Sequence, residues 1–167
     1  MDTAADPASV THAAPRRGDD AVRCIAMLIY PGVAPLDVAG PLQVFGLANI
    51  LRGHAVYEVV TVAPEMEPVP AGAGVTFLPT QALRDLALPV DTLLVAGGGA
   101  PDGALTPEIG AWLREAAPQT RRFGSICTGA FALGAAGLID GRRVTTHWLF
   151  ADRLARENPG KPVGKQP

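Results

Sequence analysis

The stretch RRFGSICTGAFALGAAGLIDG, residues 121–141, sets two arginines before a short apolar run, then a cysteine among small residues, then a helical pattern. A strand that ends at residue 126 and turns directly into a helix lifts Cys127 out of a sheet, with Ser125 and Gly129 as small neighbours. This small-x-nucleophile-x-small spacing is the steric demand of a nucleophile elbow, whose strained turn exposes the middle side chain. A cysteine simply packed at a strand end, as free cysteines commonly are, satisfies the same pattern. If the elbow forms, the oriented amides of the following helix are expected to lower the thiol pKa.

Elements alternate on either side of this stretch. VRCIAMLIY, residues 22–30, is a continuous apolar run of the kind found in strands buried on both faces, and Pro31-Gly32 ends it. Gly40-Pro41 reads as a helix entry, with the helix running to Gly53. VYEVVTVA, residues 56–63, is β-branched and aromatic, and the following VPAGAGVTFLP reads as a hairpin turned by Gly72 and Gly74. DTLLVA, residues 91–96, is a third buried strand. Thr106-Pro107-Glu108 opens a helix through Ala117, with Thr106 as N-cap and proline at the first position. A fourth strand at 121–126 leads through Cys127 to a helix at 128–136, and a last helix runs from Thr146-His147 to Asn158-Pro159-Gly160. Alternating strands and helices predict an α/β fold with a mainly parallel sheet covered on both faces.

In such a sheet, ligand chemistry belongs at the carboxyl ends of the strands. Asp37, the run Gly97-Gly98-Gly99 and Cys127 all fall there. Each has two readings. Asp37 is a loop or near-capping acid, or a carboxyl beside the sulfur. The glycines form a turn, or bring bare backbone N–H groups to a reacting oxyanion; they do not match the GxGxxG dinucleotide pattern. His147, in VTTHWLF, is a base or a residue of a helix's first turn. Cys24 sits near the start of its strand, about 20 Å from Cys127 by strand rise, so the two cannot pair.

Composition narrows the classes. The 167 residues are 48% apolar and 18% charged, as in one globular domain. A formal charge of -2 lacks the basic footprint of a nucleic-acid binder, and Arg121-Arg122 and Arg142-Arg143 read as solvated flanks. Two cysteines without metal-type spacing imply neither a disulfide scaffold nor a metal site, and fit a reducing cytoplasm. No cofactor motif is evident. Residues 1–21 have the polar composition of a disordered leader without an apolar signal core, and the run 123–139 is glycine-interrupted core rather than a membrane span.

IAMLIYPGVAPLDVAGPLQVFGLAN, DTLLVAGGGAPDG, FGSICTGAFALGAAGLIDGRRVTTHW and FADRLARENP together resemble the ThiJ/PfpI superfamily of glutamine-amidotransferase-like proteins. Within it they are most similar to the N-terminal domain of GlxA-type AraC-family transcriptional regulators. The resemblance covers residues 22–159 and implies a flavodoxin-like three-layer fold. It implies a nucleophile-elbow cysteine at Cys127 with Asp37 as acid partner and Thr128 beside it. Gly97, Gly98, Gly99 and His147 are the expected ligand-binding residues. Protease-like branches of the family carry glutamate and histidine where this chain has Asp37 and Thr128, which argues against peptidase activity; Asp with Cys-Thr also resembles isonitrile hydratase. The expected function is therefore ligand sensing by a regulator domain, with a small cysteine-dependent hydro-lyase as the alternative.

A GlxA-type regulator contacts DNA through helix-turn-helix units, which the residues after Pro159 do not supply. A small-molecule ligand is the expected partner, with DNA reached only through another domain and no membrane association. Four parallel strands in the order 2-1-3-4 leave strand 121–126 at an edge, and residues 160–167 read as a disordered tail unable to pair there. The last strand and helix of the fold are then missing, and self-association through that bare edge is expected.

Overall fold

In the computed structural model of the chain, which describes residues 21–98, 106–160 and 162–164, the apolar runs become the inner strands of one parallel sheet. The elements in chain order are β1 (Arg23–Leu28), α1 (Pro35–Arg52), β2 (Tyr57–Ala63), β3 (Val69–Pro70), β4 (Thr76–Phe77), β5 (Gln81–Ala82), β6 (Thr92–Val95), α2 (Pro107–Ala116), β7 (Arg122–Ser125), α3 (Gly129–Ala135) and α4 (Ala151–Glu157). The sheet order is β5-β2-β1-β6-β7, with every neighbouring pair parallel. Central β1 pairs Ile25 with Val59 on one side and with Thr92 on the other. The helices pack against it: α1 on β2, and α3 on β6 and β7 with α2 alongside.

The centre is apolar because β1 is covered on both faces. Ile25, Met27, Leu28 and Ile29 have no solvent exposure, and full burial of such side chains stabilises by about 1.5–3 kcal/mol each. Thr106 caps α2 as its sequence predicts, its Oγ1 accepting from the Ile109 N–H at 3.2 Å with Pro107 in the first turn. The hairpin at 69–79 also forms: β3 and β4 are antiparallel, and Gly74 takes a φ of 74° in the turn.

Four expectations change. The first helix starts at Pro35, not at Gly40-Pro41. Pro35 supplies the preset φ of a first helical residue, and Pro41 lies inside the helix at the loss of one bond to the Asp37 carbonyl, because the buried Val38 and half-buried Leu42 anchor the helix on both sides of it. Asp37 is thus a first-turn helical residue, not a loop acid. The sheet also has a fifth strand, but at the far edge: two-residue β5 pairs with β2, and its brevity hides it in the sequence. Among the described residues nothing pairs in a ladder with the outer side of β7, so the expected order of the four long strands and the edge position of β7 stand. The stretch read as a disordered tail makes one parallel bridge, Val163 to Val144, fixed by Val144 N–H to Pro162 C=O at 3.1 Å and Gly164 N–H to Val144 C=O at 2.8 Å. Val163 packs against the satellite core of Ala130, Phe131 and Leu154. The last helix begins at Ala151, after a 3₁₀ turn over Trp148–Phe150. The leader at 1–20 lies outside the described residues.

Candidate functional site at the carboxyl edge of the sheet

Cys127 follows β7 with φ at 51°, a left-handed conformation that is uncommon for any residue but glycine. Such strain persists only where the surroundings over-determine it, and it gathers at functional sites. Here the Ile126 N–H donates to Val95 C=O at 2.9 Å, and the Gly129 N–H donates to Ile126 C=O at 2.9 Å, so both sides of the turn are tied down. Thr146 adds a third tie, its hydroxyl donating to the Cys127 carbonyl at 3.0 Å. Gly129 is glycine because a Cβ there would run into the carbonyl oxygens of Val95 and Ala96. The small residue that the elbow pattern demands is explained by close approach of helix to strand.

The segments expected to converge do so around Gly97. A Cβ on Gly97 would stand 2.5 Å from Asp37 Oδ2, 2.7 Å from Thr128 N and 2.8 Å from Cys127 Cβ. Its carbonyl accepts from the Ala34 N–H at 2.8 Å, which ties the glycine run to the entry of α1 and so to Asp37. Thr128, 1% exposed, clamps the next residue: its hydroxyl accepts from the Gly98 N–H at 2.8 Å and donates to the Gly98 C=O at 2.7 Å. The idea of a bare N–H at Gly98 for an oxyanion is thereby corrected, since that donor is already used. Gly99 lies outside the described residues.

The thiol environment differs from expectation too. Burial pushes the Cys127 pKa up, and the Asp37 carboxylate beside it pushes further; the Thr128 backbone N–H opposes them without reversing the direction. Burial first, and the carboxyl second, outweigh the amide at the start of the seven-residue α3. The expected lowering is therefore a raising. Asp37 Oδ2 is fully buried and has no hydrogen-bond partner among the described residues, an unusual condition for a carboxyl oxygen.

Two residues that the sequence reading did not single out complete the wall. Tyr30, 2% exposed, donates its hydroxyl to the Ala96 carbonyl at 2.7 Å, and its pKa is raised by burial, then by Asp37 and Cys127. Its position at the end of the first apolar run, just before Pro31, was the available signal. Thr146 had none short of the fold. His147 engages locally: its Nδ1 accepts from the Leu149 N–H at 3.3 Å and its ring lies 5.6 Å from Trp148 and 6.0 Å from Phe150. Its link to the elbow runs through Thr146 next to it. An open cleft of about 290 Å³ lies elsewhere, beside β7, lined by Phe123, Ser125, Arg142, Arg143 and Thr145 among others, and Cys127 is not part of it.

A parallel α/β sheet with a cysteine on a strained strand-to-helix turn and an aspartate beside it at the carboxyl edge defines a cysteine-elbow domain. Residues 23–166 match the DJ-1/PfpI family, and the chain belongs to it. It is 41% identical over 136 residues to an uncharacterized protein of the cpoL 5′ region in Streptomyces lividans, covering 81% of this chain and 94% of that one. It is 35% identical over 132 residues to isonitrile hydratase of Pseudomonas putida, 78% of this chain and 54% of the enzyme. It is 32% identical over 139 residues to the HTH-type transcriptional regulator GlxA of Rhizobium meliloti, 83% of this chain and 43% of the regulator. A crystal structure of a ThiJ/PfpI family protein from Pseudomonas syringae superposes with a TM-score of 0.76 at 29% identity, covering 95% of this chain and 65% of that chain. The chain thus spans about half, or less, of the enzyme and regulator it resembles. No described helix is long and apolar enough to cross a membrane.

Proposed function

We propose that the chain is the ligand-sensing DJ-1/PfpI domain of a GlxA/AraC-type transcriptional regulator, acting in the cytoplasm, with DNA contacted by a separate helix-turn-helix part. The observation that carries this reading is the Thr128 clamp on both backbone polar groups of Gly98. It occupies the Gly98 N–H, one backbone donor that an oxyanion of acyl-transfer chemistry could otherwise take. The raised thiol supports the same reading, because the resting sulfur is then a neutral group suited to recognition rather than a ready thiolate. Cys127, Asp37, Thr128 and Gly97 would line the ligand site.

A second reading is favoured by the φ of Cys127 and the unpartnered Asp37 Oδ2: an isonitrile hydratase-like enzyme, in which the elbow thiol and the carboxylate act on an isonitrile and water. The two separate cleanly. The chain is incubated with cyclohexyl isocyanide while N-cyclohexylformamide is followed, and in parallel screened by thermal shift against amino acids, amines and small carboxylates. Sensing predicts no formamide and a Cys127-dependent stabilisation by one ligand class. Formamide production that Cys127→Ala abolishes would replace the sensing reading with the enzymatic one.

A further inference from the structure

The cleft of about 290 Å³ beside β7 has an apolar floor and a cationic rim. Ala130 and Leu133 from α3 and Ile139 beyond it form the floor, each at most 3% exposed. Arg142 and Arg143, both exposed, stand at the rim, and no carboxylate among the described residues lines the cleft. Arg142 is held from two sides: its backbone N–H donates to the Ile139 carbonyl at 3.1 Å, and its Cζ lies 4.8 Å from the centroid of the Phe123 ring. The ring contact steadies the charge and leaves the guanidinium N–H donors unspent. Neither arginine pairs with a carboxylate among the described residues.

The open edge of β7 adds donors to the same wall. The Arg122 N–H donates to the Asp91 carbonyl at 3.2 Å and the Ile126 N–H to the Val95 carbonyl at 2.9 Å. Bonds in a parallel ladder fall on alternate residues, so the main-chain groups of Phe123 and Ser125 face away from β6, and no described strand pairs with them. The Ser125 side chain lines the cleft as well. Thr145 supplies no donor, because its hydroxyl is given to the Gly164 carbonyl at 3.2 Å.

We propose that this cleft is a ligand site separate from the elbow, and that it takes a small carboxylate with an apolar body. The body lies on Leu133 and Ile139, and the carboxylate meets Arg142, Arg143 and the open N–H of Ser125. Guanidinium forks match a carboxylate in shape as well as charge, and an apolar cleft with a few polar groups at one end is the usual build of a small-molecule site. At roughly 30 Å³ for an atom the size of a water molecule, the cleft has room for about ten heavy atoms, the size of octanoate or phenylacetate. Inorganic phosphate would answer the arginines and leave the floor wet, and a neutral chain would cover the floor and leave the arginines unanswered. A second copy meeting this edge would bring the arginines of two chains together, which like charges oppose.

Isothermal titration of the whole chain with octanoate, phenylacetate, octanamide and inorganic phosphate, each to about 5 mM, covers the affinity a ten-atom ligand can reach. The expected result is saturable binding of the two carboxylates at one per chain, with octanamide and phosphate weaker by about tenfold or more. Arg142→Ala and Arg143→Ala should each weaken octanoate about tenfold, as the loss of one hydrogen bond to a charged group does. The melting temperature of ligand-free Arg143→Ala should equal the parent's, since that side chain is exposed and unpaired. Cys127→Ala should bind octanoate as the parent does, because Cys127 is not part of the cleft. Equal binding of octanoate and octanamide, or octanoate binding kept when both arginines are replaced, would overturn the proposal. Binding lost in Cys127→Ala but kept in the arginine variants would overturn it by placing the anion at the elbow. Absence of octanoate binding would overturn it too, and a parent dimer that Arg143→Glu dissociates would then name a second copy as the occupant.

Discussion

At the amino ends of the strands, Asp91 accepts from Arg121 Nε at 2.7 Å and Nη2 at 2.9 Å and from the Thr92 hydroxyl at 2.8 Å, with Arg23 at 3.9 Å. At the carboxyl ends, Asp37 keeps Oδ2 buried with no partner among the described residues, beside a thiol on a left-handed backbone. The Arg121 fork holds the Asp91 carboxyl below the usual carboxylate range. Each edge also has a cysteine. Burial, then Glu58 and Asp91, push Cys24 up to about 11, with no Thr128-like donor to offset them. The same sheet therefore builds one end in which a carboxylate is held by a guanidinium fork and a hydroxyl, and one end in which a buried carboxyl oxygen lacks a partner among the described residues and the backbone is strained. Rules of local consistency are broken at one edge only, and that is the mark of a site rather than of scaffold.

The contrast predicts unequal responses to substitution. The largest effect is expected at Gly129, where alanine drives a Cβ into backbone carbonyls that cannot rotate away. Gly129→Ala should cost about 3 kcal/mol or more, the upper end for overpacking, measured by denaturant unfolding; a near-neutral result would mean that the helix can slide off β6. Next comes Thr128→Val, which leaves the Gly98 N–H and C=O buried without partners and should cost about 1–3 kcal/mol. Its loss should also speed alkylation at Cys127 by loosening the turn, which a purely structural threonine would not do selectively over Cys24. The smallest effect belongs to the answered edge. Asp91→Asn should cost about 1 kcal/mol at neutral pH, and its pH dependence carries the sign. A carboxyl whose folded pKa is depressed contributes stability above its unfolded value of about 3.9, lost as pH falls through the lower folded value. The parent and Asp91→Asn unfolding curves should therefore converge in acid. Curves that stay parallel down to acid would show that the Arg121 fork adds nothing.

The fold was legible where one physical demand dominates. Strands buried on both faces must be continuous apolar runs, so residues 22–30, 56–63 and 91–96 announce β1, β2 and β6 to within about two residues. The start of α1 was misplaced because two prolines, Pro35 and Pro41, can each open a helix, and only packing of Val38 and Leu42 decides between them. Two-residue β5 has no period to read. In the site, Asp37, Gly97 and Cys127 were found because a parallel sheet brings strand ends together whatever the side chains. Thr146 and the Thr128 clamp were invisible because they depend on hydrogen bonds between segments 19 and 30 residues apart. The thiol's direction was misread for a related reason: a helix amide effect is local and visible in sequence, whereas the burial that opposes it comes from tertiary packing and the carboxyl that adds to it arrives from α1.

The central claim is that Asp37 and Cys127 form one electrostatic unit at the strained edge. It is tested most directly by the pH dependence of iodoacetamide labelling of Cys127 and Cys24 in the native parent and in Asp37→Asn, read peptide by peptide by mass spectrometry. Removing the carboxylate charge should move the Cys127 profile to lower pH and leave that of Cys24 where it is, with Cys127 labelled first in both proteins. Identical Cys127 profiles in parent and Asp37→Asn, or labelling of both cysteines only on unfolding, would contradict the claim and leave Cys127 as a packed strand-end residue.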